Sequence, residues 1–356
     1  MERNNFHFIR LASASIVVVA HSYGLLGLPV PSWFGVRVSA FAVRIFFVVS
    51  GYLVCESWNR DASVHRYLLR RSLRILPGLA VVVALSALVL GPLLTQRPLG
   101  EYFDDPQLAQ YFWNIALAPS YNLPGVFGHN PLNTAVNGSV WTLPAEFAMY
   151  LLLPFYGTAA SPLCRRVLLP VALVGLGGAG YHFALQPAEM QPGVWWSSVP
   201  QLLRWAPYFL AGAAVRIWRL ERFLNLHAAV AALALLSFTS GSVQLHEALL
   251  LLLTPYVVLA FCLTPNPVLE RFGRHADISY GVYLYSYPIQ QTLIACLGPG
   301  LFPLALTAVA MPLSWLCGLA SWYVVEKRAL RLKPSRRSAL PSARPGGRNG
   351  AGRVVA

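Results

Sequence analysis

The sequence predicts an all-α, polytopic membrane protein: a bundle of about ten transmembrane helices with both termini in the cytoplasm. Three observations predict it. Of the 356 residues, 56% are hydrophobic and 11% are charged, whereas an ordinary soluble domain carries about 25% charged residues. About ten predominantly apolar stretches follow one another, each near the roughly 20 residues a helix needs to cross the hydrocarbon core. The basic residues, which give a net charge of +14, fall between those stretches in an alternating pattern. That pattern marks membrane orientation, not nucleic-acid binding.

In order, the spans cover roughly residues 9–28, 36–57, 75–95, 140–158, 167–185, 200–217, 226–242, 247–264, 278–297 and 301–325. With the N-terminus inside, the inner segments hold Arg3; Arg60, Arg66, Arg70, Arg71 and Arg74; Arg165 and Arg166; Arg216, Arg219 and Arg222; Arg271 and Arg274; and the basic run from Lys327 to Arg353. The outer connections hold only Arg97. Removing one span would put this asymmetry out of phase with the helices. The first span begins like a secretory leader but has no small-residue cleavage site before Pro29, so it reads as a true helix. Residues 96–139 form an extracytoplasmic loop. Its aromatic, Pro- and Asn-rich part reads as interfacial, because an eleventh crossing would break the charge alternation. The organisation is one membrane domain over residues 1–332 and a disordered basic cytoplasmic tail over 333–356, either solvated or touching anionic lipid. Cys55, Cys164, Cys262, Cys296 and Cys317 lack disulfide or metal spacing, and the histidines form no ligand cluster, so no metal is expected.

Ionisable groups inside spans cost about 2.5–3.5 kcal/mol each on insertion scales and are functional candidates by default. Here they are Arg10, His21, Arg37, Arg44, Glu56, Glu146, Arg204, Asp277 and Glu326. Arg10 and His21 lie eleven residues apart, or three helical turns plus about 20°, hence on one face and roughly 16 Å apart along the axis. A basic anchor at the inner end and a titratable group toward the outside suit a long substrate with phosphates at one end and a reactive group at the other. Arg44 and Glu146 fall near the depth of His21. Two readings stand for Glu146: it orients the imidazole, or it neutralises Arg44. Arg204 reads as an interface anchor or a ligand contact. Asp277 and Glu326 read as partners for inner arginines. The tyrosines of Ser279-Tyr280-Gly281-Val282-Tyr283-Leu284-Tyr285 line a polar cavity or form an aromatic packing face.

These residues carry a resemblance. Arg10 with His21; Arg44 with Phe46-Phe47-Val48-Val49-Ser50-Gly51-Tyr52; Arg70, Arg71 and Arg74-Ile75-Leu76-Pro77; Ser139-Val140-Trp141-Thr142-Leu143-Pro144-Ala145-Glu146; and the segments around Tyr283 and Glu326 follow one another at the spacing of acyltransferase family 3. The chain resembles these integral membrane proteins over most of residues 5–330. The resemblance implies an O-acyltransferase of the bacterial cytoplasmic (inner) membrane. It would move an acyl group, acetyl in the commonest case, from acyl-coenzyme A to a hydroxyl of a surface polysaccharide or oligosaccharide. It implies His21 as the catalytic histidine, Arg44 and Glu146 in the polar site, and Arg10, with Arg70, Arg71 and Arg74, on the donor. Acceptor contacts are expected from Trp113, Asn114, Tyr121, Asn122, Trp141 and Tyr283. No cofactor is expected to be permanently bound. The partners expected are acyl-coenzyme A, a glycan, membrane lipid and glycan-assembly proteins, with no nucleic acid. The competing reading is a transporter of lipid-linked saccharide or acyl groups. It shares the spans but predicts inverted repeats, which the sequence does not show.

Overall fold

The computed structural model describes residues 4–132, 135–158, 169–179, 193–194, 197–239, 242–273 and 275–334, mostly as helix. The principal helices are α1 (Phe6–Leu25), α2 (Val38–Arg60), α3 (Val64–Leu94), α4 (Leu99–Asp104), α5 (Pro106–Tyr111), α6 (Thr142–Thr158), α7 (Leu169–Ala179), α8 (Val199–Ile217), α9 (Leu226–Phe238), α10 (Val243–Leu263), α11 (Ser279–Leu297) and α12 (Pro303–Arg331). Two small antiparallel hairpins precede α2 and α8: β1 (Ser32–Trp33) with β2 (Val36–Arg37), and β3 (Gly193–Val194) with β4 (Ser197–Ser198). The connection with Cys164, Arg165 and Arg166, which was expected to be cytoplasmic, Arg274, and the tail from residue 335 lie outside the described residues.

A helix falls in each expected span. Among the described residues, five helices are long and apolar enough to cross a membrane by length and composition: α1, α2, α3, α12 and Leu245–Leu263 of α10. The others are shorter or more polar. On α11, Ser279, Tyr280, Tyr283, Ser286, Tyr287, Gln290 and Gln291 are all buried. Polar side chains that face the inside of a bundle lower its apolar character without exposing charge to lipid.

Polar contacts show how the helix ends meet. At one end, the Asn5 amide donates to the carbonyls of Phe261 (2.9 Å) and Thr264 (2.7 Å), Asp277 joins α1 to α3, and Arg216 joins the ends of α2 and α8 through Glu56. At the other end, Leu25 and Leu26 pack with Ala135, Tyr287, Ile294 and Leu306. These helices run alternately up and down.

α2 is the central element, buried along most of its length. It crosses α8 with almost no separation: a Cβ on Gly51 would strike the Phe209 carbonyl, and one on Gly212 would strike the Val48 carbonyl. The small pair Ser50-Gly51 is therefore a helix-crossing device, as small residues are where backbones approach in membranes. Gly281 and Gly318 bring α11 and α12 together in the same way.

The 96–139 loop folds over one end. Tyr102 of α4 donates to the Ala87 carbonyl (2.7 Å), inside a π-helical turn of α3 at Ser86–Leu90. Such turns free carbonyls for outside partners. Asn137 donates to the Leu284 carbonyl (2.9 Å) and Asn130 to the Gln291 side chain (2.8 Å). These contacts lock the loop onto α11.

Candidate active site

At the loop-covered end, α1, α2, α8, α10 and α11 enclose a cavity of about 560 Å³. Its wall includes His21, Arg37, Arg44, Ser139, Trp141, Arg204, Trp205, Glu247 and Tyr283. The β1–β2 hairpin forms the rim, turning through two left-handed residues, Phe34 (φ 49°) and Gly35 (φ 71°), as two-residue hairpins require. His21 packs edge-on against Tyr287, with ring centroids 5.1 Å apart. Its Nδ1 is buried and has no hydrogen-bond partner.

Arg44 is the second feature. It is 1% exposed, inside a segment that reads as membrane-spanning. Nε donates to the Tyr208 hydroxyl (2.9 Å). Nη2 donates to the Glu247 carboxylate (3.1 and 3.4 Å). The guanidinium also lies over the rings of Trp205 and Tyr208, 5.6 and 5.5 Å from their centroids. Nη1 has no partner. The carboxylate at Arg44 is thus that of Glu247, not Glu146 as one sequence reading had it. Glu247 also stands 4.0 Å from Arg204. One signal for Glu247 was present in the sequence: a lone carboxylate at the start of an expected span. Ser242 caps α10, accepting from the Leu245 amide (3.4 Å), and so places Glu247 in the second turn.

Glu146 lies on the other side of α2. Ser50 donates to it (2.7 Å), and Tyr150 donates to the same oxygen. Six residues separate Arg44 from Ser50, about 600° of helix, so the two face different neighbours. Glu146 does not hydrogen-bond His21; it lines a smaller cavity with Arg10, Ser50, Thr142 and Tyr280. The two cavities share Val43 and Tyr283 as walls. The Tyr283 hydroxyl donates to the Ser139 carbonyl (2.5 Å) and meets the Thr142 hydroxyl at 2.6 Å. Arg10 and His21 therefore open onto two chambers on either side of one tyrosine.

At the opposite end, arginines meet carboxylates. Arg10 and Arg74 both donate to Asp277 (2.8 and 2.7 Å), and Arg74 reaches Glu326 (3.2 Å). Burial alone would push the Asp277 carboxyl up, but Arg10, Arg74 and His7 hold it well below the usual carboxylate range. Asp61 takes Arg66 (2.6 Å) and Arg70 (2.7 Å). Arg71 meets no carboxylate among the described residues; it donates to Ser57 (3.3 Å) and lies over Tyr150.

Of the six residues expected to contact the acceptor, Trp141 and Tyr283 line the large cavity. Trp113 and Tyr121 are exposed on the loop, and Asn122 bridges to Ala135. Asn114 is consumed by the loop itself. Its amide nitrogen donates to the carbonyls of Tyr111 and Ser120 (2.7 Å each), and its oxygen accepts from the Ser120 amide (3.1 Å).

The comparisons with known proteins agree with one another. A family model described as an acyltransferase domain matches residues 3–322. An O-acetyl transferase of Shigella phage Sf6 is 30% identical, with 92% of this chain and 96% of the relative covered. Nodulation protein 10 of Rhizobium leguminosarum bv. viciae is also 30% identical, with 94% and 95% covered. No solved structure matches the chain. The chain belongs to the acyltransferase family that this model describes.

Proposed function

We propose that this membrane O-acyltransferase carries an acyl group, acetyl by the name of its phage relative, from cytoplasmic acyl-coenzyme A to a hydroxyl of a surface or lipid-linked glycan. The arginine-rich end then faces the cytoplasm of a bacterial cell, with both termini, and ten helices span the inner membrane. The observation that carries this reading is the pair of chambers that meet at Tyr283, with Arg10 on one and, on the other, His21 and Arg44 with Nδ1 and Nη1 left unpaired.

Arg10, Arg70, Arg71 and Arg74 hold the phosphates of the donor by charge-assisted hydrogen bonds. Its thioester arm passes the Ser50–Glu146 pair and reaches His21 beside Tyr283. The acceptor enters from the loop side, past Trp113, Tyr121 and Asn122, and rests against Trp141. His21 takes the proton of the acceptor hydroxyl, and that oxygen bonds to the thioester carbon. Arg44 Nη1 donates to the oxyanion that develops on the carbonyl oxygen. The carbon–sulfur bond then breaks, and the thiolate leaves with the proton held by His21.

The test uses purified protein in lipid nanodiscs with radiolabelled acetyl-coenzyme A and surface glycan extracted from cells that lack the gene. Label transferred to glycan by the wild type and not by His21→Ala supports the reading. Transfer retained by His21→Ala removes His21 from the chemistry. Glycan with unchanged acylation but reduced surface amount in the gene-deleted cells points to transport instead.

A further inference from the structure

We infer that Glu247 is a positioning residue for acyl transfer: it clamps Arg44 so that Nη1, and no other nitrogen of that guanidinium, is left for the reacting oxygen. The inference rests on the outer cavity being the acyl-transfer site.

A guanidinium offers five N–H donors in a rigid plane. Fixing two of its nitrogens fixes where the third points. Tyr208 takes Nε and Glu247 takes Nη2, and the guanidinium carbon lies 5.6 and 5.5 Å from the ring centroids of Trp205 and Tyr208. Nη1 remains buried without an acceptor, on a residue that is 1% exposed and lines the same cavity as the unpartnered His21 Nδ1. Buried donors without partners are rare in native proteins. Five polar atoms without a partner sit on residues that line this one chamber, His21 Nδ1, Arg44 Nη1, Ser139 Oγ, Arg204 Nε and Trp205 Nε1, and they mark where a ligand's polar atoms belong.

Glu247 works through Arg44. Its Oε2 receives Arg44, and its Oε1 faces both Arg44 (3.4 Å) and Arg204 (4.0 Å). It holds α2 and α8 to α10 at the cavity wall. Removal of the carboxylate would leave two guanidiniums of like charge facing each other, and Arg44 Nη2 would compete with Nη1 for any anion. The pair therefore sets the direction of a donor; it does not supply a base.

The experiment measures steady-state transfer in nanodiscs for the wild type, Glu247→Gln, Glu247→Asp, Glu247→Ala, Arg44→Gln and the Arg44→Gln/Glu247→Ala double variant, each with its thermal midpoint. We expect kcat to fall about tenfold in Glu247→Gln and about 100-fold in Glu247→Ala, the loss of an oriented oxyanion donor, with KM for donor and acceptor held within about twofold. The double variant is expected to be no slower than Arg44→Gln alone. Glu247→Asp keeps the charge but shortens the reach, so a lower kcat at an unchanged thermal midpoint also supports positioning. It covers the case in which Glu247→Ala does not fold. Wild-type kcat in Glu247→Ala, or losses that multiply in the double variant, overturn the inference while leaving acyl transfer intact. A wild type that transfers no label sinks the underlying reading instead.

Discussion

Arg44 and Arg74 lie on helices consecutive in the chain, both lie over aromatic rings, and they differ in what surrounds the charge. Arg74 meets two carboxylates, Asp277 and Glu326, and lies over Tyr280 and Trp322. Arg44 meets one carboxylate and keeps a buried nitrogen free. The difference separates two tasks. A charge saturated with partners holds helices and presents a basic face. One left short of a partner holds open a place for a negative charge that forms during reaction.

The largest effect that would sharpen this contrast is at the chamber lined by His21 and Arg44. His21→Ala is expected to lower kcat by at least about a thousandfold, within the range of a lost general base, while the protein still reaches the membrane. Activity within tenfold of wild type would break the assignment. Arg44→Gln is expected to lower kcat by about 100- to 1,000-fold, whereas Arg10→Gln is expected to raise the donor KM by about tenfold with little change in kcat. Steady-state kinetics with varied acetyl-coenzyme A read both, and the reverse pattern would exchange the roles of the two ends.

Asp277→Asn is expected to act on stability first. It leaves Arg10 and half of the Arg74 cradle without a counter-charge, and breaking a buried pair costs about 3–5 kcal/mol. The thermal midpoint in detergent should fall clearly. A midpoint equal to wild type would show that the charges around Asp277 are solvated, not architectural.

Asp61 gives a smaller, pH-dependent effect. Hydrogen bonds from Arg66 and Arg70 hold its carboxyl below the usual carboxylate range. A depressed folded-state pKa contributes stability that is present above the unfolded value, near 4, and lost as pH falls through the folded value. The thermal midpoint should therefore not respond to Asp61 between about pH 8 and pH 5 and should decline below about pH 4. Asp61→Asn should flatten that acid limb; an unchanged limb would remove Asp61 from it. Smallest of all, Trp113→Ala is expected to raise the acceptor KM about threefold, the scale of one exposed aromatic contact. Trp141→Ala should exceed it, since only Trp141 lines the cavity.

Much was legible in residue order alone, because each such feature depends on neighbours along the chain. Apolar runs and their spacing locate the helices, and the eleven-residue interval locates Arg10 and His21 on one side of α1. The small pair Ser50-Gly51 marks a close crossing. Aromatic and Asn content sets 96–139 apart as a loop. The family motifs Arg10 with His21, and Phe46-Phe47 with Ser50-Gly51, are likewise strings of near neighbours.

Partner choice was not legible. Depth along separate helices placed Glu146 level with Arg44, yet rotation about α2 turned Arg44 toward α8 and α10 and turned Ser50 toward Glu146. Asn114 looked like a sugar contact until the loop closed on its amide. The sequence on its own determined the all-helical architecture and the family, because helix length, apolar content and local motifs are properties of consecutive residues. The tertiary structure decided which carboxylate faces which arginine, which polar atoms stay unpaired and where two chambers meet. Those depend on the rotation and packing of helices more than 250 residues apart in sequence, and no period along the chain records them.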